Sequence, residues 1–216
     1  MTQRVFTVPT WMISAHPEYE LGQLEAGRYG SAQDQIKMAR EAILDEVNAR
    51  VWNTVSGSVS SGDANYFTCA GSLTRTALNY AIDYVEDQAG GVAAIVGRRN
   101  LFSSMLDWNI STYEVGLYSD SMKDQIMKTG KIPVYRGYPI VSLPQWRSGF
   151  GKMIIEQNTV LVVGKDIGKY VTSQDLNYKD AIDVDELMWH IHMYTRMGCA
   201  VFFPERIGKV VVGPTK

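Results

Sequence analysis

The sequence predicts an α+β fold, with helices in the first half and an antiparallel sheet in the last third. Three observations predict it. Apolar residues recur at helical spacing through Ile36, Ala39, Ile43, Val47, Val51 and Val55. Met188 to Met197 alternates with a period of two, placing Trp189, Ile191, Met193 and Met197 on one face and His190, His192, Tyr194 and Arg196 on the other. Thr159 to Val163 is a continuous apolar run of the kind found in a buried strand. The 216 residues are 45% hydrophobic and 20% charged with a formal net charge of −2, a balance that excludes a disordered chain and allows a sizeable core.

Residues 4–30 show no helical periodicity. Arg4, Phe6 and Val8 alternate with Val5, Thr7 and Pro9, and Trp11 to Ile13 precede the breaker pair His16-Pro17. The segment closes on Gly27-Arg28-Tyr29-Gly30, which predicts an extended, two-stranded excursion. So short an arm builds no core of its own. Its apolar side chains need a surface, in this chain or another, and the arm is expected to stand off the compact body of the monomer.

Ser31, with Asp34 three positions later, reads as the cap of a helix over 31–55, and Gly57 as its stop. Glu46 and Arg50 are a favourable i,i+4 pair on its polar side. Such a helix spans roughly 35 Å. Its Ile36–Val47–Val51 stripe is expected to pack on the Trp189/Ile191/Met193 face, which makes Val47→Asp a severe change.

Ser56 to Asp63 is a Ser/Gly-rich loop, and a second helix opens near Ser72 or Thr74 and runs to Gln88, ended by Gly90-Gly91. Its core face is Leu78, Ala81, Ile82 and Val85. Val92 to Val96 reads as a buried strand, Leu101 to Trp108 and Asp120 to Thr129 as short helices. Ile132 to Val134 and Ile140 to Leu143 flank a hairpin turn at Tyr135-Arg136-Gly137-Tyr138. Ala200 to Phe203, the turn Pro204-Glu205-Arg206 and Val210 to Val212 complete the terminal sheet.

Catalytic signals are weak. His190 and His192, at i,i+2 on a strand, point the same way and could share a zinc ion, but a site needs a third ligand. The remaining histidine, His16, stands beside a turn far away in sequence. The expectation is a polar strand face with no metal. No G-x-S-x-G motif occurs, and Gly97-Arg98-Arg99 lacks the glycines and lysine of a phosphate loop. Asp180, Asp183, Asp185 and Glu186 lack calcium-loop spacing and read as a solvated loop. Cys69 and Cys199 read as two buried thiols. No apolar run approaches the roughly 20 residues of a membrane helix, and no Lys/Arg-rich tract marks a dedicated nucleic-acid surface. No catalytic residue and no cofactor is expected. A long helix, an apolar arm and a large sheet suit a building block better than an enzyme.

Gly137-Tyr138-Pro139-Ile140-Val141-Ser142-Leu143-Pro144 resembles a characteristic stretch of tailed-bacteriophage major capsid proteins. The surroundings agree in order. Ser72-Leu73-Thr74 followed by Val92 to Gly97 resembles the helix and strand of that family's axial domain. Asn158 to Val163 with Gly168 resembles the strand returning to its peripheral domain. Arg196 to Val201, Pro204 and a last strand to Val212 resemble its closing hairpin. Phe6 to Trp11 and Leu24 to Gly30 resemble its extended loop.

The resemblance implies the fold shared by phage capsids and encapsulin shells. Residues 1–30 would be the extended loop, with the usual N-terminal arm absent or truncated, laid over a neighbouring subunit. Residues 31–71 and 165–216 would form the peripheral domain, including the spine helix 31–55, and residues 72–164 the axial domain. The function implied is a major capsid protein assembling an icosahedral shell around a viral double-stranded DNA genome. Two alternatives stand beside it: an encapsulin-type compartment shell, and a small metalloenzyme using His190 and His192. The implied partners are copies of the chain itself, in pentamers and hexamers, with scaffold, portal or decoration proteins. Packaged DNA would be touched without specificity, as the slight negative charge suits, and no membrane is involved. Assembly in the host cytoplasm and residence in the virion follow. Phe6, Trp11, Tyr19, Arg28, Tyr29, Tyr135 and Arg136 are the candidate subunit-interface residues. Crosslinking through lysine is not carried over, because residues 4–30 contain no lysine.

Overall fold

The computed structural model describes residues 7–28, 30–108, 128–129, 132–143 and 156–213. In chain order its elements begin with β1 (Thr10–Ala15), β2 (Glu18–Glu20), α1 (Leu21–Glu25), α2 (Ala32–Gly57), β3 (Tyr66–Ala70), α3 (Arg75–Ala89), β4 (Val92–Arg98) and α4 (Arg99–Ser103). They continue with β5 (Val134–Tyr135), β6 (Tyr138–Leu143), β7 (Thr159–Gly164), β8 (Gly168–Asp183), β9 (Met188–Val201) and β10 (Ile207–Gly213). The chain divides into two compact units. Of the described residues, the first comprises 7–28, 30–54 and 168–200, and the second 55–108, 128–129, 132–143, 156–167 and 201–213.

The first unit is a sheet under a helix. Ser31 and Asp34 cap α2 reciprocally: the Asp34 N–H donates to Ser31 Oγ at 3.2 Å, and the Ser31 N–H donates to Asp34 Oδ2 at 3.0 Å. The Ser31 hydroxyl, and secondly its backbone N–H, hold the Asp34 carboxyl below the usual carboxylate range. Ala39 and Ile43 of α2 are buried against Trp189, Ile191, Met193 and Met197 of β9, with Ile36, Val47 and Val51 at the margin. The alternation of β9 thus finds its cover, as the two one-sided apolar surfaces require. Thr195, the one polar residue on that face, is buried and donates its hydroxyl to the Gln174 carbonyl at 2.9 Å.

The arm does not stand off. β1 pairs antiparallel with β9 from Thr10↔Gly198 to Ala15↔Met193, and β2 pairs with it from Glu18↔His190 to Glu20↔Met188. Ile13 is buried in the same core as Ile43 and Ile191. Edge backbone on β9 offered hydrogen bonds as well as apolar cover, so the arm found its surface within this chain. A β-carbon at Gly198 would collide with the Pro9 carbonyl oxygen, so glycine there is what lets β1 approach. The short helix α1, absent from the sequence expectation, follows β2.

The second unit is a mixed six-stranded sheet in the order β3-β10-β7-β4-β6-β5. Its middle strands explain the continuous apolar runs, since β7 and β10 are buried along most of their length. Helix α3 buries Leu78, Ala81, Ile82 and Val85 in that core. Thr74 caps it, accepting from the Ala77 N–H at 3.3 Å, and Gly90 ends it at φ 66°, a left-handed position suited to glycine. The buried polar groups have partners: Asn65 Nδ2 donates to the carbonyls of Pro204 (2.8 Å) and Ile207 (2.6 Å), and Lys209 Nζ donates to that of Ser56 (2.9 Å). Among the expected turns, Tyr135-Arg136-Gly137-Tyr138 is present, with positive φ at Arg136 and Gly137.

Three expectations need correction, and a fourth falls on residues the structure does not describe. The last third is not one sheet: β7 and β10 belong to the six-stranded sheet, and β10 pairs parallel with β3, a strand the sequence reading missed. The acidic cluster around Asp180 to Glu186 is not simply a loop, for Asp180 and Asp183 close the 16-residue strand β8. β8 escaped notice because it is exposed on most of its length and so carries no clean hydrophobic alternation. Leu101 to Trp108 is a short α-helix running into a 3-10 turn at Ser104–Asp107 rather than one helix. The helix expected over Asp120 to Thr129 lies outside the described residues except at 128–129.

Candidate assembly surface

Strand β8 pairs with β9 and with no other described strand, so one edge of its 16 residues carries backbone groups that no described strand takes up. Its side chains add apolar area to that edge. Tyr170 is 54% exposed, Ile182 58%, and Val184 and Leu187 in the turn after it 74% and 61%; Val171 and Tyr178 are also exposed. A long edge strand with an exposed apolar series is a template for another chain. Sequence reasoning missed this surface. The parity of Tyr170, Leu176, Tyr178 and Ile182 was its one signal, diluted by Thr172, Gln174 and Asp180 at the same parity.

The interface candidates read from the sequence fall in three places. Trp11 and Tyr19 are half-buried on the α2-covered core, Trp11 beneath the Arg50 guanidinium at 5.8 Å and Tyr19 beside Trp189 at 5.9 Å. Arg28 is exposed after α1. Tyr135 is 3% exposed and donates its hydroxyl to Asn79 Oδ1 at 2.9 Å, which leaves it no side chain to offer a partner; the hairpin turn points it into the core. Arg136, next in the turn, is exposed and paired with Asp83 at 2.6 Å; that carboxylate raises its pKa further above the ordinary value. Phe6 and Tyr29 lie outside the described residues.

The uncovered face of β9 is polar and unexpectedly concentrated. His16 Nδ1 lies 2.7 Å from His192 Nδ1, and His190 Nδ1 lies 3.4 Å from Glu18 Oε1. All three histidines of the chain therefore meet on one sheet face. Pairing of the arm with β9 carries His16 across 176 positions to His192. Asp183, Glu186 and His190 offer ligand atoms that all lie within 4.8 Å of one another. The sequence reading found no third ligand for His190 and His192 together; the fold instead gathers two carboxylates at His190 and leaves His192 beside His16. Both thiols have pKa values raised by burial, Cys199 being buried and Cys69 partly so.

Comparison with known proteins locates the fold. Residues 2–172 match the family described as "SPbeta prophage-derived putative capsid protein YonB". No curated protein sequence matches the chain. Among solved structures, a chain from Gordonia phage Cozz superposes with a TM-score of 0.66 at 16% identity, over 97% of this chain and 71% of that one. A chain of the holo-SrpI encapsulin complex from Synechococcus elongatus PCC 7942 gives 0.61 at 11% identity, over 94% and 73%. The mature capsid of bacteriophage PhiM1 gives 0.54 at 14%, over 96% and 72%. The α+β architecture is thus the fold of phage capsids and encapsulins.

Proposed function

Because this chain belongs to the YonB family and has a capsid-type fold, we propose that it is the major capsid protein of a shell enclosing a double-stranded DNA genome. The family and fold point to a structural protein rather than a catalyst, and to self-assembly. The observation that carries the reading to particular residues is β8, a long edge strand with Tyr170, Tyr178 and Ile182 exposed along it. Its proposed occupant is a second copy of the chain. Trp11, Tyr19, Arg28 and Arg136 are proposed to lie at further subunit contacts, with residues 31–71 and 165–216 as peripheral and 72–164 as axial domain. Scaffold and portal proteins, assembly in the host cytoplasm and residence in the virion belong to the same proposal.

The fold likeness to the SrpI encapsulin supports a second reading, a compartment shell without a genome. One experiment addresses both. The purified protein is followed by sizing chromatography and negative-stain microscopy, beside a Tyr178→Lys/Ile182→Lys variant. Shells or capsomers are expected for the parent. The variant is expected to keep the parent's melting temperature within the range of ordinary surface changes, about 0.5 kcal/mol, and to remain a monomer. Equal assembly of the variant would remove β8 from the interface. Nuclease-protected DNA in shells recovered from the producing host supports the capsid reading; shells holding protein cargo and no DNA support the compartment.

A further inference from the structure

We propose that Asp183, Glu186 and His190 form a binding site for one divalent transition-metal ion of the zinc, cobalt or manganese class. The site is independent of the shell reading. Its donors come from the end of β8, the turn and β9, and their ligand atoms all lie within 4.8 Å of one another. Ligands about 2.1 Å from a shared ion stand roughly 3–4 Å apart, so closing the site asks only for side-chain rotation at an exposed turn. Two carboxylates and an imidazole suit these metals better than the all-oxygen sites of calcium or magnesium.

The surroundings are arranged as metal sites are. Glu18 Oε1, 3.4 Å from His190 Nδ1, supplies the carboxylate that commonly orients a ligating imidazole, and leaves Nε2 for the ion. Asp183 Oδ1 accepts the N–H groups of Asp185 (3.0 Å) and Glu186 (3.2 Å), which fixes its carboxylate while Oδ2 remains. Glu18, Asp183, Asp185 and Glu186 make the neighbourhood strongly negative without a cation. The ion would tie the end of the β8–β9 hairpin together and, through Glu18, hold the arm strand β2 against it. The sequence expectation of no metal concerned an ion shared by His190 and His192; this site takes His190 with two carboxylates and leaves His192 out.

The test uses the full chain, stripped with a chelator and dialysed. Zinc chloride is titrated by calorimetry, and cobalt(II) by its visible absorption, which reports ligand type and geometry. One equivalent is expected, with a zinc-dependent rise in melting temperature. Glu186→Gln and Asp183→Asn, near-isosteric changes at an exposed turn, are expected to weaken binding at least tenfold and to abolish the thermal shift. Their metal-free melting temperatures are expected to match the parent's. His192→Ala is expected to bind as the parent does. Absence of saturable uptake overturns the proposal, as does uptake that survives in both carboxylate variants and is lost in His192→Ala.

Discussion

The two units differ in how their sheets are finished. In the second, β7 and β10 each have a strand on both sides, and α3 buries Leu78, Ala81, Ile82 and Val85 in the shared core. Among the described strands of the first, only β9 is flanked on both sides; one face is covered by α2, the other carries the histidines, and β8 is an edge. Buried middle strands have spent their hydrogen bonds and apolar area inside the unit. An edge strand with exposed Tyr170 and Ile182 has not, which is why β8 is the surface proposed for association.

The comparison makes predictions of graded size. The largest concerns the α2 stripe. Ile43 is 2% exposed, so Ile43→Asp leaves an unpaired carboxylate in the core and is expected to cost several kcal/mol against a typical total of roughly 5–15. Val47 sits at the margin, where a carboxylate can reach water; Val47→Asp is expected to cost only about 1–3 kcal/mol. Thermal melts rank the two, and a Val47→Asp penalty equal to that at Ile43 would mean the stripe is buried deeper than the first unit's open margin allows.

Next come two glycines. A β-carbon at Gly164 would stand 2.7 Å from both Ala89 Cβ and the Arg206 carbonyl oxygen, in the closed second unit. Gly164→Ala is expected to cost about 2–3 kcal/mol, since helix and backbone there have nowhere to move. At Gly198 the collision is with the Pro9 carbonyl oxygen, just ahead of β1, a strand paired on one side only among the described strands. Gly198→Ala is expected to cost about 1 kcal/mol and to speed amide exchange in β1 while leaving β4 and β7 protected. Equal penalties with no change in β1 exchange would count against the contrast between a closed unit and an adjustable one.

The smallest effect is electrostatic. The Asp34 carboxyl titrates below its ordinary value in the folded chain, so its contribution is full above the unfolded value and is lost as pH falls through the folded one. The melting-temperature gap between the parent and Asp34→Asn is expected to shrink on acidification through that window. A gap that widens in acid would show that the capping carboxylate does not act through its charge.

The elements legible in the sequence share a property: their signal and their cause are local. Ser31 and Asp34 cap α2 within four residues, Thr74 and Gly90 bracket α3, and the alternation of Trp189, Ile191 and Met193 announces β9. The family resemblance was legible for a related reason, as an order of short segments along the chain. What the sequence hid depends on which distant segments meet. Tyr135 looked available in a turn and was drawn into the core, and the end of β8 at Asp180 and Asp183 looked like part of an acidic loop because a half-covered strand needs little hydrophobic pattern.

The sequence by itself determined the long helices α2 and α3, their caps and the buried faces of β7 and β9, because hydrophobic periodicity and capping act over a few residues. Only the tertiary structure decided that β10 joins β3, that the arm lies along β9, and that His16 reaches His192. Those outcomes follow from strand pairing, whose hydrogen bonds are the same for every residue; the partner is chosen by which edge is open and which register buries the apolar face.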